Sequence, residues 1–139
     1  PEVDMRPGPW VGLALVRMAC LYLLAGLVLG MAMAVGKDFS LVSVHSHLLL
    51  LGWATLAITG IVYVVLPRCA ATRLAVAHAW LHGLGLPVMM ASLAAALLGA
   101  PWAEPLVGLG STLVTVGLAL FTLAVFRSAG EAGAGPGPA

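Results

Sequence analysis

Polar positions in this chain fall in short bursts, and four long apolar runs lie between them. The runs occupy residues 10–35, 41–66, 74–99 and 105–126. A membrane-crossing helix needs about 20 predominantly apolar residues at about 1.5 Å of rise each, and every run is long enough. The pattern predicts an all-α membrane protein with four transmembrane helices over residues 10–127. A short N-terminal tail, 1–9, precedes them. A Gly-, Ala- and Pro-rich tail, 128–139, follows and is expected to be disordered.

Composition supports this division. The chain is 62% hydrophobic and only 8% charged, with a mean hydropathy of +1.11. An ordinary soluble domain carries roughly a quarter charged residues. Chemistry within these 139 residues must therefore lie in or at the bilayer. The net charge of +1 gives no sign of nucleic-acid binding.

The placement of charge is more informative than its sum. Arg6, Arg17, Arg68, Arg73 and Arg127 belong to the N-terminus, the second connection and the C-terminus, whereas Lys37 stands alone in the first connection. Four spans put the arginine group on one side, and the positive-inside rule then places both termini in the cytoplasm. The first span is too long for a cleavable signal peptide and is expected to be retained. Cys20 and Cys69 fall towards the reducing side, where a disulfide is not expected; both read as small apolar fillers.

Several residues break the apolar pattern. Gly26 and Gly30 form a Gly-x-x-x-Gly pair that lets another helix approach closely. Arg17 lies about two turns inside the first span. It either extends to the headgroups or meets an anionic group on a bound ligand. Met31 and Met33 close that span, and Gly52 and Gly60 give the second span small faces. Pro67 ends the second span, Pro87 should kink the third, and Trp102 fits an interfacial position. No nucleotide-binding loop, Ser-His-Asp pattern or pair of catalytic carboxylates is present.

Four histidines remain. His45 and His47 open the second span, and residues two apart on a helix are separated by about 200°. They point to nearly opposite faces, so each serves a different neighbouring space rather than one shared metal. Imidazole within a membrane suits haem iron or copper; its other use is a hydrogen bond to a neighbouring helix. His78 and His82, four apart on the third span, share a face and form a candidate second site, with a structural role as the alternative. Helix rise places the two pairs roughly 15–20 Å apart along the membrane normal.

The run from His45-Ser46-His47 through Leu48-Leu49-Leu50-Leu51-Gly52-Trp53 and Ala57-Ile58-Thr59-Gly60 to Pro67 resembles the tenth transmembrane helix of haem-copper oxidase subunit I. That family carries a His-x-His near the outer end of this helix, small residues below it and a proline at the inner end. The stretch from His78-Ala79-Trp80 through Gly83 and Pro87 to Met90 looks like the family's following helix. The first and fourth spans agree by hydropathy only. The resemblance implies one four-helix arc of a twelve-helix fold, and haem b with His45 and His47 as axial ligands on opposite faces. It further implies a bacterial inner-membrane location and electron transfer, or binding of a small gas such as nitric oxide or oxygen. A quinol or a cytochrome would be the electron donor.

The departures from the family are specific. Nothing here resembles its copper-site histidines and tyrosine, or the arginine pair that meets the haem propionates, so no complete oxygen-reduction site is seen. Three copies of one arc could rebuild the twelve-helix ring, which makes a homotrimer the expected assembly. The alternative is a copper-binding or copper-transfer protein using His45, His47, Met31 and Met33, since thioether with imidazole suits copper.

Overall fold

The computed structural model describes the backbone of residues 8–133 and the side chains of residues 10–128; the remainder of the two expected tails lies outside the described residues. Four helices are long and apolar enough to cross a membrane: span 1, Trp10–Gly36; span 2, Val42–Val65; span 3, Arg73–Leu97; and span 4, Pro101–Ser128. No strand occurs among the described residues. Span 1 belongs to a helix that starts at Gly8. The helix of span 4 continues to Gly133, into the segment expected to be tail. Span 3 runs without interruption through Pro87.

Helices in lipid gain little from burying apolar surface, so close contact between small residues has to hold them together. Spans 1 and 2 cross where Gly12 meets Gly60. A Cβ on either glycine would stand 2.7–2.8 Å from the other's carbonyl oxygen. Further along the same pair, Tyr22 packs on Gly52, Leu49 on Gly26 and His45 on Gly30. Numbers rise on one helix as they fall on the other, so the two run antiparallel. Spans 3 and 4 pair in the same way, with Gly110 against Met89, Gly85 against Leu113 and Gly117 against the backbone of His82.

The buried interior is formed by residues such as Leu15, Leu56, Tyr63, Leu86 and Met89, while Leu21, Leu50, Ile58, Leu84 and Phe126 point outward. The outward face is apolar, as a lipid-facing surface must be. A short helix, Pro67–Ala70, joins spans 2 and 3. Thr72 caps span 3 by accepting from the Ala75 amide. At the opposite end, Lys37 takes a positive φ of 51°. There Asp38 accepts from both the amide and the hydroxyl of Ser40, which holds its exposed carboxyl below the usual carboxylate range. Trp102 is exposed in the 3₁₀ turn Pro101–Ala103 that opens span 4.

Span 2 departs from a regular α-helix. Residues Val42–His47 and Leu56–Val65 are α-helical, but Leu48–Thr55 between them is π-helical. Wider i→i+5 turns rotate every face below them relative to a continuous α-helix. They also leave carbonyls open to side-chain donors: Leu50 accepts from the Thr55 hydroxyl at 2.8 Å, and Leu51 from His82 at 3.2 Å.

Candidate functional site

The two histidines at the head of span 2 sit on the α-helical segment above the π-turns, so the angle of about 200° between them applies. His45 faces span 1. Its ring occupies the space a side chain at Gly30 would fill, and its Nδ1 lies 2.8 Å from the Gly26 carbonyl oxygen. The Gly-x-x-x-Gly pair is thus a cradle for an imidazole and for Leu49, one turn further along the same helix. His47 folds back on its own helix, with Nδ1 2.7 Å from the Ser43 carbonyl oxygen.

A carbonyl oxygen only accepts, so in both rings Nδ1 carries the hydrogen and Nε2 carries the lone pair. Neither Nε2 has a hydrogen-bond partner among the described residues, and neither is fully enclosed. Both rings are half-buried, fixed in tautomer, and present an open Nε2 at the surface of the chain. Metal-ligating histidines have this arrangement, in which a backbone carbonyl orients the ring and raises the basicity of the other nitrogen. The donor set fits a haem iron, with each histidine serving a different side of span 2.

His78 and His82 have different surroundings. Both are fully buried, on the face of span 3 that packs against spans 2 and 4. His78 Nδ1 is 3.1 Å from the Tyr63 hydroxyl, and His82 Nε2 donates to the Leu51 carbonyl. The two rings lie 5.5 Å apart, centroid to centroid, and Phe121 packs against both His78 and Tyr63. His78 Nε2 and His82 Nδ1 are buried without a partner. They are sealed from lipid and water, unlike the open nitrogens of His45 and His47.

The two inner histidines meet span 2 at different levels. His82 lies near the middle of span 3, and its imidazole meets span 2 at Leu51, about one turn below His47. His78 meets it much lower, at Tyr63, sixteen residues beyond His47.

Other candidates do not converge on the outer pair. Met31 is 62% exposed and Met33 only 7%, so the two thioethers lie on different sides of span 1. Arg17 is exposed and has no hydrogen bond or ion pair among the described residues. It stands thirteen residues, or about 20 Å of helix, from Gly30 and so from His45. Cys69 is buried as a filler would be, whereas Cys20 faces outward. No group of three or more His, Cys, Asp or Glu side chains gathers around a single position among the described residues.

Sequence reasoning did not single out Tyr63, Phe121 or the Leu51 carbonyl. Tyr63 had one available signal, a lone phenol low in an apolar run and one short connection away from His78. Compared with protein-family models, curated proteins and solved structures, the chain matches none.

Proposed function

We propose that this chain is a membrane b-type haem protein that carries electrons, with His45 and His47 as axial ligands. One observation carries the proposal: both imidazoles are locked through Nδ1 to backbone carbonyls and present Nε2 free at the chain surface. Haem bound between two strong-field imidazoles is suited to one-electron transfer. The residues of this chain hold the rings in place and fix their protonation.

The two ligands face different sides of one helix, so one chain supplies half of each of two sites. The assembly that completes them is a homotrimer in which His45 of one copy stands opposite His47 of the next. Apolar faces on all four spans leave room for such contacts. Lys37, at the histidine end, is the cation available to a haem propionate. The positive-inside rule puts that end outside the cytoplasm and the arginine-rich end within it, in a bacterial inner membrane. A quinol or a cytochrome then supplies the electron. Copper binding lacks comparable support, because Met31 and Met33 do not share a face.

Haem and protein quantified together with native mass in mild detergent test this assembly. One haem per chain in a particle of three chains is expected. A monomer retaining a full complement of six-coordinate haem would contradict the shared site.

A further inference from the structure

At the end of the molecule opposite His45 and His47, the connection between spans 2 and 3 meets the end of span 4 around a cavity of about 400 Å³. Three arginines, Arg68, Arg73 and Arg127, line it, with Leu74 and Ala124 giving an apolar side. We propose that this cavity binds the phosphate headgroup of an anionic phosphoglyceride.

The donors left for a ligand in the cavity are its arginines. Its two hydroxyls already donate to backbone carbonyls, Thr72 to Cys69 and Ser128 to Ala124. The three guanidiniums, with five N–H groups each, have no hydrogen-bond or ion-pair partner among the described residues. The carboxylates whose side chains are described, Asp38 and Glu104, lie at the other end of the spans. Arg73 is also the first residue of span 3, so the positive end of that helix dipole adds to the field. Three like charges around one cavity repel one another, and a phosphate relieves that repulsion while forming forked hydrogen bonds.

Position identifies the source of the phosphate. The cavity lies where spans 2, 3 and 4 end, at the depth of lipid headgroups, and its apolar side suits the glycerol and upper acyl chain of a lipid. Each arginine that reaches the phosphate within the cavity should contribute about fivefold, the size of one basic side chain's attraction to an anionic headgroup.

Native mass spectrometry of the full chain, delipidated in neutral detergent and titrated with phosphatidylglycerol, tests the assignment. Retained phosphatidylglycerol adducts are expected, with phosphatidylcholine binding at least about fivefold more weakly. Arg127→Gln should weaken phosphatidylglycerol by about fivefold, and Arg68→Gln with Arg73→Gln added should weaken it further. Arg127 is exposed, so the single variant remains readable if the triple variant does not fold. Arg17→Gln, outside the cavity, should leave binding unchanged. Equal loss in Arg17→Gln and Arg127→Gln would replace the cavity with diffuse attraction to a basic surface and overturn the proposal. Equal binding of phosphatidylcholine would overturn it as well. Displacement of the lipid by millimolar inorganic phosphate would show the site to be one for free phosphate instead.

Discussion

His45 Nδ1 lies 2.8 Å from the carbonyl oxygen of Gly26, across the contact between spans 1 and 2. The bond fixes the tautomer and leaves the lone pair on Nε2. It forms because Gly30 leaves room for the ring, where a Cβ would stand 2.8 Å from the ring's Cε1. Gly30→Ala should therefore expel the imidazole from its cradle without removing it from the chain. The expected outcome is a haem spectrum altered as strongly as in His45→Ala, with a lower melting temperature from about 1–3 kcal/mol of overpacking. An unaltered spectrum in Gly30→Ala would mean that the ring can ligate from another position.

The inner pair should affect stability and leave the spectrum alone. His78→Ala opens a cavity beside Phe121 and strands the Tyr63 hydroxyl, at a cost of about 1–3 kcal/mol for the unsatisfied group alone. Tyr63→Phe removes the same bond with little change in volume but strands the buried His78 Nδ1, and should cost about 1–3 kcal/mol. Thermal melts in detergent should show both losses while the visible spectrum keeps its wild-type form. Loss of haem in either variant would move the inner histidines into the cofactor site.

Glycines on the four spans should separate into two classes. Gly60→Ala drives a methyl group into the Gly12 carbonyl, which belongs to a helix backbone and cannot move alone. It should destabilise by about 1–3 kcal/mol and loosen the pairing of spans 1 and 2. Gly108→Ala meets nothing within 4 Å, and should be neutral or stabilise by up to about 1 kcal/mol through helix propensity. A ranked pair of melting temperatures, Gly108→Ala above Gly60→Ala, checks this.

The four spans were legible because length and hydropathy fix them. Expected limits such as 41–66 and 74–99 stand beside observed helices at Val42–Val65 and Arg73–Leu97. The opposed directions of His45 and His47 were also legible, since they depend only on the local helical angle. The π-helical stretch Leu48–Thr55 was not. Most of its residues are ordinary helix formers, and contacts from other spans fall within it, Tyr22 at Gly52 and His82 at Leu51. Gly26 and Gly30 announced a close approach but not what approaches, because the register between two spans is not written in either. The level at which His82 meets span 2 was not legible for the same reason. Its height depends on how far span 3 slides along span 2.

The most direct measurement of the central claim is the visible spectrum of the purified protein beside those of His45→Ala and His47→Ala. The wild-type chain should show a Soret band with sharp reduced bands, and each variant should lose the haem or convert it to a five-coordinate form. A wild-type protein without a Soret band, or two variants with the wild-type spectrum, would contradict the assignment of His45 and His47 as haem ligands.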